Sequence, residues 1–142
     1  MRPIRTFRLQ IGTGQRLALL AGATVLVAVM PAAAQAPGLA LLDGLEKGAW
    51  ELRYRDGTPA RRLCLRTGRE LVQLRHAGPT CGRYVVEDGL NQVTVQYTCK
   101  GDGYGRTRIR KETPTLVQLD SQGVAGGSPF AFSAEARRVG GC

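Results

Sequence analysis

The chain has 142 residues, with 20 Lys and Arg against 11 Asp and Glu, for a formal net charge of +9. Apolar residues make up 43% and charged residues 22%, the balance of a globular protein and not of a disordered one. This excludes a multidomain enzyme, a coiled coil and a polytopic membrane protein, and leaves room for one domain.

Residues 1–16 carry Arg2, Arg5, Arg8 and Arg16 and no acid, and Leu17 to Met30 is a run of 14 apolar or small residues. Pro31-Ala32-Ala33-Ala34-Gln35-Ala36 follows, with small residues at Ala34 and Ala36. A basic segment, a short apolar stretch and an Ala-x-Ala site predict a secretory signal peptide cut after Ala36. In a helix the apolar stretch reaches about 21 Å, short of a hydrocarbon core of about 30 Å, so a signal fits better than an anchor. The expected mature part is a single domain over residues 37–142, periplasmic and not membrane-spanning. Removing the signal takes away four arginines and no acid, so the formal charge falls from +9 to +5.

From Pro37 to Lys47, Leu39, Leu41, Leu42 and Leu45 suit one side of a helical turn ended by Gly48. Alternation with period two then takes over. Trp50, Leu52 and Tyr54 face one way and Glu51, Arg53 and Arg55 the other, which is a half-buried strand. Asp56-Gly57-Thr58-Pro59 is a turn signal, and Arg61 to Arg66 forms a second short strand. Glu70 to His76 fits a single helical turn with Leu71 and Leu74 inward, broken at Gly78-Pro79. Arg83 to Glu87 reads as a third strand and Gln92 to Lys100 as a fourth, with Val93, Val95, Tyr97 and Cys99 on one face. Gly101-Asp102-Gly103 is a hairpin signal, and Tyr104 to Glu112 is a fifth strand. Thr115 to Asp120 is the sixth, Gly123 to Pro129 a loop, and Phe130 to Arg138 the seventh. Short connections predict an antiparallel meander, mostly β, curled into an open sheet or a small barrel.

Cys64, Cys81, Cys99 and Cys142 all follow the signal, and an even number in an exported chain predicts two disulfides. Three pairings are open. The favoured one is Cys64–Cys81, around a short polar connection, with Cys99–Cys142. A zinc site of Cys64, His76, Cys81 and Cys99 matches no compact ligand spacing, so no metal or cofactor is expected.

No catalytic residue stands out. His76 is the one histidine, in a polar connection where solvent exposure is the ordinary outcome, and the acids form no facing pair. Gly101-Asp102-Gly103-Tyr104-Gly105 is followed by a strand, so no helix N-terminus is there to receive a phosphate. The distinctive feature is a ladder of Arg106, Arg108 and Arg110 on one strand face, with Lys111 beside it. Like charges in a row are unfavourable unless acids or a bound anion answer them, and Glu51, Glu87, Glu112 and Glu135 are candidate neighbours. The four cations are the candidate anion-binding residues.

The run Gly48-Ala49-Trp50-Glu51-Leu52-Arg53, the strand Arg62-Leu63-Cys64-Leu65 and the stretch Leu71 to His76 up to Cys81 resemble the core of a family of small exported proteobacterial proteins classed as a domain of unknown function. Val93 to Cys99, Gly103-Tyr104-Gly105 and Glu135-Ala136-Arg137-Arg138 with Cys142 are similar too. The resemblance implies a periplasmic, cysteine-containing β domain and brings no catalytic residue or cofactor. The expected function is a non-catalytic binding or adaptor module for an anionic envelope component or a periplasmic protein. The alternatives are a small inhibitor built like the lysozyme inhibitors and a carrier of an apolar ligand. Nucleic acid is not an expected partner, because aromatics are few and the chain is exported.

Overall fold

The computed structural model describes residues 38–78 and 81–142; the predicted signal peptide, residues 1–36, lies outside the described residues. A short helix α1 (Ala40–Asp43) leads into β1 (Gly48–Tyr54) and β2 (Arg61–Leu65). A 3-10 turn at Arg69–Leu71 precedes β3 (Cys81–Asp88), β4 (Gln92–Cys99), β5 (Gly103–Thr113), β6 (Leu116–Ala125) and β7 (Ser128–Gly140). The helix stops at Gly44, earlier than the expected Gly48, which instead opens β1.

The seven strands make one antiparallel sheet in the order β2-β1-β7-β6-β5-β4-β3. From β3 to β7 it is the expected meander. The departure is that β2 does not pair with β3: the β1–β2 hairpin joins the far side of β7, with Leu52 opposite Ala136 and Tyr54 opposite Ala134. The expected loop at Gly123 to Pro129 is also a correction. β6 and β7 run through it, joined by Gly126-Gly127 at φ 55° and 78°, the positive values that a two-residue hairpin turn needs.

One face of the sheet carries Leu52, Val93, Val95, Tyr97, Ile109, Val117, Leu119, Phe132, Ala134 and Ala136, all buried. Leu41, Leu42 and Leu45 from α1 and its exit, with Leu71, Val72 and Leu74, cover that face. Each fully buried aliphatic side chain contributes about 1.5–3 kcal/mol, so this face supplies most of the driving force for folding. Trp50 is fully buried, and its indole N–H donates to the Glu46 carbonyl at 2.9 Å, which removes the cost of burying that donor.

The sheet curls but does not close, so the barrel alternative is corrected. Its free edges are β2 and β3, and the segment 66–78 lies against both. Arg61 on β2 reaches the Leu74 carbonyl at 3.4 Å, and Arg83 on β3 donates to Gln73 Oε1 at 2.8 Å. The Glu70 carboxylate accepts the N–H groups of Arg66 and Thr67. Gly68, at φ 77°, lies so close to Leu42 that a Cβ there would meet the Leu42 carbonyl oxygen at 2.4 Å. Side chains and turns thus do at this seam what a strand-to-strand ladder does in a barrel.

Both expected disulfides form, but the favoured pairing is wrong. Cys81 bonds to Cys99, directly opposite on neighbouring strands with a Cα–Cα distance of 4.3 Å. Cys64 on β2 bonds to Cys142 beyond β7, at 5.8 Å, across the intervening β1. The pairing follows the sheet order, which puts Cys64 near the end of β7 and far from Cys81 along the sheet. With all four cysteines oxidised, the environment is an oxidising, exported one. No described helix is long and apolar enough to cross a membrane.

Candidate anion-binding groove on the outer face

The uncovered face of the sheet is a grid of charged and polar side chains, because every second residue of each strand points to it. One row runs Gln96, Arg106, Gln122, Ala131; the next runs Thr94, Arg108, Asp120, Ser133. The Arg55 N–H donates to the Ser133 carbonyl and brings Arg55 to the end of that second row. A third row runs Gln92, Arg110, Gln118, Glu135 and Arg53. Most cations here have an acid beside them. Arg108 pairs with Asp120 at 2.9 Å, Arg110 with Glu112 at 2.6 Å, and Glu51 with both Arg53 and Arg62. These pairs are exposed on at least one side and contribute little to stability; their effect is to offset the repulsion of the ladder.

Arg106 and Arg55 are the exceptions. Neither makes an ion pair among the described residues. Arg55 donates to Gln118 Oε1 at 2.8 Å, which leaves most of its donors open. Together with Arg108 they line an open groove of about 730 Å3, with Thr94, Gln122, Ser133, Asp56 and Asp120. The two carboxylates are already engaged. The Ser133 hydroxyl and then the Arg108 guanidinium hold the Asp120 carboxyl below its ordinary range, and the Thr58 N–H does the same for Asp56. Glu87, nearby on β3, is lowered by hydrogen bonds from Gln92 and Thr94, with Arg108 and Arg106 adding to it.

Of the four candidate residues, Arg106 and Arg108 line this groove. Arg110 shares their face but is answered by Glu112, and Lys111 points to the opposite side, opposite Val117. Arg55 is the residue that reading the strands one by one misses as a partner of the ladder. Its parity on β1 is plain, but the pairing of β1 with β7 that brings it near Asp120 is not.

The covered face holds a second polar feature. His76 is only 1% exposed, which corrects the expectation of a solvated loop histidine. Tyr97 lies opposite Gly105, which in turn faces Gly123 and then Phe130; a Cβ on Gly105 would sit 2.3 Å from the Tyr97 hydroxyl. The His76 ring lies 5.2 Å from the Tyr97 ring and 6.0 Å from that of Phe130. Its Nδ1 is 3.2 Å from the Tyr97 hydroxyl. Ser121 Oγ is 2.8 Å from Thr107 Oγ1, which donates to the Val72 carbonyl at 2.6 Å. A carbonyl only accepts, so Thr107 donates to Val72 and accepts from Ser121. His76 Nε2 is buried without a hydrogen-bond partner among the described residues. These bonds tie the 66–78 segment to β4, β5 and β6. Burial pushes the Tyr97 hydroxyl pKa above its ordinary value.

No protein-family model, no curated protein and no solved structure matches this chain.

Proposed function

We propose that the protein is a non-catalytic periplasmic module that binds a hydrophilic, phosphate- or carboxylate-bearing component of the cell envelope in the outer-face groove. Residues 1–36 act as its signal peptide, a reading supported by the two disulfides and by the resemblance to small exported proteins. The observation that carries the ligand assignment is the placing of Arg55 and Arg106, cations that make no direct ion pair among the described residues, in one groove with Arg108. A guanidinium in such a place gains most from a bidentate oxyanion. The covered face is filled by Trp50, Tyr97, Phe132 and their neighbours, so the ligand belongs on the polar side.

Retention on heparin at rising salt tests this. Arg55→Ala with Arg106→Ala should elute at clearly lower salt than the wild type. Arg62→Ala with Arg137→Ala, an equal loss of charge from the same face, should elute less early. Equal shifts for the two pairs would mean that net charge, and not the groove, holds the anion.

A further inference from the structure

Five large hydrophobic side chains are exposed among the described residues, and the two aromatic ones, Tyr84 and Tyr104, share the outer face of the sheet. Alternation puts them there, since Val85 packs against the core and Gly105 is buried. Tyr84 stands opposite Gln96, and Gln96 stands opposite Arg106. Tyr104 comes two residues before Arg106 on β5, with Thr98 on one side and Val124 on the other. The two tyrosines are 71% and 52% exposed. A single exposed apolar side chain is ordinary on a protein surface. Two aromatic rings bracketing an arginine that makes no ion pair among the described residues form a grouped feature. The outer groove thus continues past Arg106 onto an aromatic shelf. From Tyr84 on β3 to Ser133 on β7 the face crosses four strand spacings, about 19 Å along the sheet.

We propose that the anionic component is a linear acidic polysaccharide in which charged sugars alternate with neutral ones. Sugar rings lie on Tyr84 and Tyr104, and Arg106 holds an acid group between them; this rests on the groove being the binding site. The C–H face of a sugar ring is apolar and packs on an aromatic ring, while the tyrosine hydroxyl stays in water. Sugar hydroxyls both donate and accept, as do the amides of Gln96 and Gln122 on either side of Arg106. A small free anion would leave the tyrosines unused. A nucleic-acid strand would use them, because bases stack on aromatic rings. The carboxylates argue against that strand. Asp56 and Asp120 line the groove, and Glu87 stands opposite Thr94 in the row of Arg108. They would repel a phosphate at every nucleotide, whereas the hydroxyls of a neutral sugar can donate to them.

Titration calorimetry is the test, with a hexasaccharide of alternating glucuronate and N-acetylglucosamine as the probe. A terminally blocked triglutamate peptide carries the same carboxylates without sugar, and a hexathymidylate carries the rival chemistry. The hexasaccharide should bind at least tenfold more tightly than either. Tyr84→Ser with Tyr104→Ser should cost at least tenfold in hexasaccharide affinity and leave triglutamate unchanged. Both side chains are exposed, so folding should survive, checked by the far-UV spectrum. Sugar ring protons should also move upfield on binding the wild type, and not on binding this variant. Arg55→Ala with Arg106→Ala should weaken the hexasaccharide and triglutamate alike. A hexasaccharide that binds no more tightly than triglutamate, or that ignores the loss of both tyrosines, overturns the polysaccharide while the anion groove stands. Tighter binding of hexathymidylate overturns it in favour of a nucleic-acid strand. If neither acidic ligand binds saturably, or if the arginine pair affects neither, the groove falls and the polysaccharide with it.

Discussion

Replacing Gly105 by alanine should destabilise the domain far more than a surface glycine change. The new Cβ would lie 2.3 Å from the Tyr97 hydroxyl, 2.4 Å from its Cζ and 2.8 Å from its Cε1, all far inside contact distance. Tyr97 is 1% exposed, so the ring must shift within the packed core and take its hydroxyl away from His76. Overpacking a core costs about 1–3 kcal/mol. Leaving buried polar partners unpaired costs about 1–3 kcal/mol more. A combined loss of about 3 kcal/mol would lower Tm by about 15 °C in a domain of this size. The control is Gly126→Ala, at φ 55° with nothing within 4 Å, where only the left-handed backbone is strained, at about 1 kcal/mol. Thermal unfolding followed by circular dichroism, with disulfides intact, gives both numbers. Combining Gly105→Ala with Tyr97→Leu should cost less than the two changes added together, because the clash then has no ring to meet. If Gly105→Ala costs no more than Gly126→Ala, the account of Tyr97 lying over bare backbone is wrong.

By the chain-entropy argument, losing the Cys64–Cys142 link, which closes 78 residues, should cost about 4.5 kcal/mol, and losing Cys81–Cys99, which closes 18, about 3 kcal/mol; urea unfolding of the two Cys→Ser pairs gives the order. Asp43, Asp56, Glu51, Glu87 and Asp120 all have carboxyl pKa values held below the unfolded values of 3.8 for Asp and 4.5 for Glu. Their contribution is fully present above those unfolded values and is lost as pH falls through the lower folded ones, so urea midpoints should drop below about pH 4. Tyr97 has the opposite sign: its pKa is raised above 10.0, so its share of stability is present below pH 10 and lost as pH rises through the folded value.

Strand parity was legible in the sequence because it is a local property. Trp50, Leu52 and Tyr54, the run Val93 to Cys99, and Phe132 to Ala136 take the inward positions that alternation assigns. The pairing of β1 with β7 was not legible, since it joins residues some 80 positions apart and leaves no mark in any short window. The disulfide pairing and the place of Arg55 beside the arginine ladder both depend on that one long-range contact. His76 was misjudged for another reason. Its neighbours in sequence do not reveal its burial, which comes from packing against the Tyr97 and Phe130 rings on distant strands.

The groove on the outer face is the centre of the functional account, and titration of the nitrogen-labelled protein with a sulfated disaccharide tests it most directly. Backbone and guanidinium signals of Arg55, Arg106 and Arg108 should move together with those of Asp120 and Ser133, saturably, with an affinity that falls as salt rises. Shifts spread evenly over Arg53, Arg62, Arg110 and Arg137 as well, or no saturable shift at millimolar ligand, would contradict the account.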